Sequence, residues 1–183
     1  MDASTDTRNL IDKYKGLPNE DIIADLDKTR ITLEVAIENV SHDFNIGTIV
    51  RNANAFNIAK VHIIGKHKYN RRGAMVTDKY LHIDYFATVA EFVADARARQ
   101  KTLVAIENNR PASRPLQQVE AKPNSILIFG SESDGMTDEL LDAVDQIFYI
   151  EQLGSTRSIN VGCASAVAMY EYVRRLGYFE PHA

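Results

Sequence analysis

Apolar residues along this chain follow two rhythms. Ile31, Leu33, Val35 and Ile37 take every second position, the repeat of a strand. Residues 46–57 change to helical spacing, with Ile46, Ile49, Val50, Ala53 and Phe56 on one face. A second short strand is predicted over 60–64, closed by Gly65. Thr88 and Glu91 stand at capping-box spacing before a helix that carries Val89, Phe92, Val93 and Ala96. Further strands are predicted at Thr102–Ile106, Ser125–Phe129 and 146–150, with a helix bearing Leu140, Leu141 and Val144 between the last two. The last helix is predicted over 160–176 and stops at Gly177, which accepts left-handed backbone. Ahead of residue 31, Ile22, Ile23 and Leu26 predict a short helix over 19–28 with Asn19 as its cap. Residues 1–18 show little pattern and read as a flexible lead-in.

The chain therefore divides into an N-terminal extension with a short helix, 1–30, and a main domain, 31–183. Alternating strands and helices predict an α/β domain with a mainly parallel sheet flanked by helices. In such sheets ligands gather beyond the carboxyl ends of the strands. That directs attention to the loops after Ile37, Ile106, Phe129 and Ile150.

Composition narrows the function classes. With 183 residues and 45% hydrophobic content, the chain suits a single domain with a full core. The one cysteine, Cys163, has no intrachain partner for a disulfide, which fits a reducing cytoplasm. The first thirty residues lack the apolar core of a signal peptide. No apolar run approaches the ~20 residues of a membrane helix, so no membrane partner is expected. The five histidines are scattered and no Cys/His cluster has metal-ligand spacing, so no metal is expected. Neither a G-x-G-x-x-G turn nor a P-loop is present, which argues against dehydrogenases and P-loop enzymes. A nucleophile elbow of the G-x-S-x-G type is also absent.

A net charge of −4 argues against coating nucleic acid by bulk charge. Lys66, Lys68, Arg71 and Arg72 nevertheless cluster locally, with His67 and Tyr69 between them. Such a run is either a solvated loop or a phosphate-tracking surface.

Three polar loops carry the candidate chemistry. Segments 45–56 (Asn-Ile-Gly-Thr-Ile-Val-Arg-Asn-Ala-Asn-Ala-Phe), 128–136 (Ile-Phe-Gly-Ser-Glu-Ser-Asp-Gly-Met) and 158–161 (Ser-Ile-Asn-Val) occur in that order. Together they resemble motifs 1, 2 and 3 of the SpoU/TrmH branch of the SPOUT RNA methyltransferases. The resemblance spans about residues 31 to 178. It implies an α/β trefoil-knot fold, a homodimer, and S-adenosylmethionine as cofactor. It further implies transfer of a methyl group to a ribose 2'-hydroxyl of tRNA or rRNA. The alternative on the same fold is a non-catalytic RNA-binding or ribosome-assembly factor.

The resemblance also implies roles for particular residues. Arg51 matches the family's arginine, proposed there to activate the hydroxyl with help from a substrate phosphate. Arginine side chains hold their proton, so a bidentate grip on phosphate and stabilisation of the forming alkoxide suit it better than acting as a base. Asn45 either caps the helix or lines the site near the nucleotide. Glu132 matches an acid that orients active-site groups. Ser158 and Asn160 either cap the last helix or approach the cofactor and the arginine. Glu107, Asn108, Phe129, Gly130, Ile150, Ser158 and Ile159 match or neighbour positions that hold the cofactor.

Two positions depart from the family pattern. Asn57 stands for a usual glycine at a helix end, where asparagine also tolerates left-handed backbone. Glu151 replaces a common proline, which affects the local loop shape. The small residues Gly162, Ala164, Ser165, Ala166 and Ala168 of the last helix suit close packing on the sheet or a dimer interface. RNA selection is expected from Lys66, Lys68, Arg71 and Arg72, from the residues before 31, or from a dimer partner.

Overall fold

A computed structural model describes residues 9–40, 45–108, 110–132 and 134–179. Residues 1–8 of the lead-in, 41–44 of the loop after Ile37 and Ser133 of the 128–136 segment lie outside the described residues.

Strands β1 (Ile31–Asn39), β2 (Ile58–Gly65), β3 (Ile83–Phe86), β4 (Thr102–Ile106), β5 (Arg114–Pro115), β6 (Ser125–Phe129) and β7 (Gln146–Tyr149) form one sheet. Their order is β3-β2-β1-β6-β4-β7-β5, and every pairing is parallel. Parallel neighbours need long crossovers, and helices supply most of them. These are α2 (Asn45–Ala55), α3 (Val89–Ala98) and α4 (Asp138–Ala143); α1 (Asn19–Asp27) precedes the sheet and α5 (Val161–Arg175) follows it.

The alternation in β1 sorts the core into two layers. Leu33, Val35 and Ile37 pack with Ile46, Ile49 and Val50 of α2 and with Ala168, Met169 and Tyr172 of α5. Ala36 packs on the other side with Phe92 and Ala96 of α3 and Leu140 and Leu141 of α4. The chain lays β1, β2 and β3 outward in one direction, then returns to insert β6 between β1 and β4. That reversal of strand order makes the crevice in which α/β sheets bind ligands.

Because both faces of β1 are covered, its Glu34 is buried. The carboxylate accepts from His62 Nε2 at 2.7 Å and from Arg99 Nη1 at 2.8 Å, with Lys101 Nζ at 2.6 Å. Burial alone would raise the Glu34 pKa, but hydrogen bonds from His62, Lys101 and Arg99 outweigh it and hold the value at about 2. The folded value lies below the unfolded one, so the stabilisation is complete above about pH 4.5 and is lost as pH falls toward 2. This group then contributes on the order of 3 kcal/mol at neutral pH. Denaturant titrations at pH 6, 4 and 3 should show the loss, and Glu34→Gln should flatten that part of the profile.

The predicted spans of β4 and β6 agree with the observed ones, and β7 ends one residue sooner than expected. Gly177 and Asn57 are both left-handed, at φ 78° and 49°. Four expectations need correction. Pro18, not Asn19, precedes the first turn of α1, since Asn19 already has helical geometry. Val144 terminates α4 and lies outside it. Thr88 caps α3 as expected, but the Glu91 carboxylate reaches back to the Ala87 amide, one residue earlier than in a capping box. The described part of the lead-in is ordered by packing: Asp12–Tyr14 is a 3-10 turn, and buried Tyr14 meets Ile22 and Tyr80.

Candidate active site

The loops after β4, β6 and β7 surround a cavity of about 690 Å³, within the size range of small-molecule sites. Glu107 and Asn108 leave β4 on one side. Gly130, Ser131, Glu132, Asp134 and Gly135 leave β6 on another. Tyr149, Ile150, Gln152, Arg157, Ser158 and Ile159 close it from β7 and the following loop, with Val161 and Ala164 of α5 behind them.

Backbone hydrogen bonds close the β6 loop. Ser131 and Gly135 exchange two backbone hydrogen bonds of 3.0 Å, so the chain doubles back on itself. Gly135 takes φ 67°, a left-handed value that suits glycine. A Cβ on Gly130 would stand 2.2 Å from the Gly135 carbonyl carbon, so only glycine lets the two backbones meet. Neighbouring loops are tied together: Glu107 Oε1 accepts from the Asn108 amide, and Asn108 Nδ2 donates to the Arg157 carbonyl at 3.0 Å.

At the edge of this cavity the three motif segments touch. Asn45 Nδ2 donates to Glu132 Oε2. Asn160 Nδ2 donates to Glu132 Oε1 at 3.0 Å and to Asn45 Oδ1 at 2.9 Å. The other end of Asn160, Oδ1, accepts from the Cys163 amide and caps α5. One asparagine therefore both starts the helix and orients the acid. Asn45 is the first residue of α2, already helical, and does not serve as the cap that its residue type suggested.

Helices α2 and α5 are locked side by side behind this cluster. Asn52 Nδ2 donates to the Gly162 carbonyl and to Ser165 Oγ, both at 2.9 Å. A Cβ on Gly162 would meet Thr48 Cγ2 at 2.8 Å. Gly162 and Ser165 thus admit α2 at close range, a helix contact where packing on the sheet was expected, while Ala168 does pack with the β1 side chains.

The profile of the SpoU rRNA Methylase family matches residues 32–170. The chain belongs to this SpoU family. The matched span takes in α2, the β6 and β7 loops and most of α5. A 23S rRNA (guanosine-2'-O-)-methyltransferase, RlmB, of Bordetella pertussis is 29% identical over 151 residues, covering 78% of this chain and 60% of the relative. This chain therefore spans about three fifths of that relative's length. Among solved structures, the TrmH/SpoU tRNA modifying enzyme of A. aeolicus superimposes with TM-score 0.75 at 22% identity, covering 87% of this chain and 83% of that one. An AdoMet-bound rRNA methyltransferase from Sinorhizobium meliloti superimposes with TM-score 0.72 at 23% identity, covering 82% and 60%.

Against this SpoU fold, the residues singled out by sequence fall into five groups. Glu107, Asn108, Gly130, Glu132, Ile150, Ser158 and Ile159 line the cavity. Asn45 and Asn160 join it through Glu132. Phe129 does not line it: its side chain is fully buried in the core beside α2 and α5, leaving only its backbone near the loop. Arg51 is exposed and lies outside the cavity, where Nη2 donates to Asn9 Oδ1 at 3.4 Å. Six residues along α2 place it about 9 Å from Asn45 along the helix axis. Lys66, Lys68, Arg71 and Arg72 are exposed between β2 and the 3-10 turn Thr77–Tyr80.

Sequence reasoning missed Tyr149, Gln152 and Arg157 as cavity residues. Gln152 and Arg157 lie in the loop after Ile150 and Tyr149 ends β7, and those places were the only available signal. Gln152 Oε1 is buried and has no hydrogen-bond partner. A buried carbonyl without a donor is unfavourable, so this amide is a candidate for a ligand group.

Proposed function

We propose that this chain transfers a methyl group from S-adenosylmethionine to a ribose 2'-hydroxyl of tRNA or rRNA. The observation that carries the reading is the meeting of Asn45, Glu132 and Asn160 beside a cavity of cofactor size. The printed activity of the Bordetella relative and the cofactor in the Sinorhizobium structure support it. The catalytic domain runs from residue 31, and the residues before it form an extension resting on that domain.

The chemistry of the lining fits the cofactor. Ile106, Ile150, Ile159 and Ala164 offer apolar walls to a purine and a thioether chain. Glu107, Glu132 and Asp134 offer carboxylates to a ligand with a sulfonium and an ammonium. Backbone groups of Gly130, Ile150 and Ile159, which line the cavity, would hold its adenosine and methionine parts. When bound, the cofactor supplies an electrophilic methyl group.

The protein's task is alignment and charge. Asn45 and Asn160 fix the Glu132 carboxylate, and Ser158 stands beside them at the cavity wall. Arg51 takes a phosphate next to the reacting ribose in a two-point grip and stabilises negative charge growing on the 2'-oxygen. Lys66, Lys68, Arg71 and Arg72 track further phosphates.

A second copy of the chain covers α5. Cys163, Val167 and Tyr170 form an exposed stripe on that helix, and the Phe179 ring lies 5.1 Å from Tyr170. A reducing cytoplasm suits a chain with its one cysteine on such a face.

The test combines three measurements on the full chain. Calorimetry with S-adenosylhomocysteine should give saturable binding. Labelled S-adenosylmethionine should place label in 2'-O-methylnucleosides of unmodified tRNA or rRNA. Sedimentation should give a particle of two chains. Failure to bind the cofactor would sink the reading. Binding of cofactor and RNA without transfer would favour the non-catalytic RNA-binding alternative.

A further inference from the structure

The basic segment after β2 is anchored from beneath by one residue. Asn39, the last residue of β1, is fully buried. Its Nδ2 donates to the Lys66 carbonyl at 2.5 Å and to the Lys68 carbonyl at 3.1 Å. Its own carbonyl accepts from the Lys66 amide at 3.1 Å. Between them Gly65 turns at φ 91°, and a Cβ there would come within 3.0 Å of the Asn39 carbonyl oxygen. The backbone of this turn therefore faces inward onto Asn39, while both lysines are exposed.

The rest of the segment is registered on the helix that bears Arg51. Asn70 Oδ1 accepts from the Arg72 amide and caps the 3-10 turn Arg71–Ala74. A Cβ on Gly73 would lie 2.8 Å from the Thr48 amide nitrogen, and one on Gly47 would lie 2.7 Å from the Asn70 carbonyl oxygen. The two backbones touch without side chains between them. Four cations within residues 66–72 repel one another, and an untethered turn would splay them. A tethered turn holds them at fixed places relative to α2 and lowers the ordering cost of binding a phosphate chain.

We propose that Asn39 is a positioning residue for RNA: by holding two lysyl carbonyls, it sets how Lys66 and Lys68 meet the phosphates of the strand to be methylated. The proposal rests on the methyltransferase reading above. Asn39 itself touches neither RNA nor cofactor. Its effect passes through the backbone of the turn.

The test uses the full chain with transcribed, unmodified tRNA and rRNA. RNA affinity is measured across a salt series, with S-adenosylhomocysteine affinity measured in parallel. Asn39→Ala should weaken RNA binding on the order of tenfold and raise KM for RNA, with cofactor affinity unchanged. Its salt dependence should become shallower although no charge has been removed, each lost phosphate contact lowering the slope of log K against log salt by roughly 0.7–0.9. In the Lys66→Ala/Lys68→Ala background, Asn39→Ala should add nothing further, because it acts through those lysines. Should Asn39→Ala fold poorly, Asn39→Ser keeps one donor and should give an intermediate loss by the same measures. Unchanged RNA affinity in the Asn39 variants, or losses that add fully to those of the lysine pair, would overturn the proposal. A wild-type chain that binds neither cofactor nor RNA would overturn the methyltransferase reading beneath it.

Discussion

Arg51→Ala is expected to lower methyl transfer to RNA by roughly a hundredfold to a thousandfold, the usual range for removing a donor aimed at developing charge. Arg51 is exposed, and its hydrogen bond to Asn9 is long, at 3.4 Å. Its removal should therefore change stability by only about 0.5 kcal/mol. It lies outside the cavity, so affinity for S-adenosylhomocysteine should stay at the native value. The loss should appear in kcat, from the missing interaction with the forming alkoxide, and as a rise in KM for RNA, from the missing phosphate grip. Arg51→Lys should recover only part of the rate, since an ammonium keeps the charge but loses the planar fork. A native transfer rate for Arg51→Ala, with binding intact, would remove the guanidinium from the chemistry.

Gly130→Ala should act on the cavity itself. The new methyl would meet the Gly135 carbonyl carbon at 2.2 Å, its oxygen at 2.4 Å and the Met136 amide nitrogen at 2.6 Å. All three are backbone atoms, so no side chain can rotate away. The turn closed by Ser131 and Gly135 must open, and Glu132 within it must leave Asn45 and Asn160. We expect a stability loss of about 2–3 kcal/mol, typical of overpacking. Cofactor affinity should fall by more than a factor of ten, read by calorimetry. Gly154→Ala is the matched control, because nothing lies within 4 Å of a Cβ there. Equal behaviour of the two variants would mean that the close approach at Gly130 does not shape the pocket.

Two kinds of element were legible in the sequence. Strand β1 and helix α2 show a regular apolar repeat, and the five-residue strands β4 and β6 show as short continuous apolar runs. Strands β3 and β5 showed neither. The first is four half-buried residues and the second is two, and both are strands only because β2 and β7 offer an open edge. The capping expectations at Asn19 and Asn45 failed for a related reason. A residue type favours a cap, but tertiary placement decides whether it falls before the first turn or, as at Asn19 and Asn45, within it.

The candidate site was legible through its motifs, residue by residue. Asn45, Glu132 and Asn160 could each be named from the chain, as could the lining residues Glu107, Gly130 and Ile159. Gln152 and Arg157 were not visible, because nothing in a lone glutamine or arginine announces a cavity. The charge cluster around Glu34 was equally hidden. Its position in β1 is plain, but Arg99, Lys101 and His62 reach it from the end of α3, the start of β4 and the middle of β2.

By itself, the sequence determined the α/β alternation, the ends of the strands where a ligand would sit, and the family resemblance of three polar loops. Periodicity and turn chemistry act over a few residues, so they survive without knowledge of the fold. Only the tertiary structure decided that Asn45, Glu132 and Asn160 share hydrogen bonds, that Phe129 turns into the core, and that Asn39 lies under the basic turn. Those outcomes depend on which strands become neighbours and how closely α2 approaches α5 and the 66–74 segment. Packing between distant parts of the chain sets such contacts, and no local pattern encodes them.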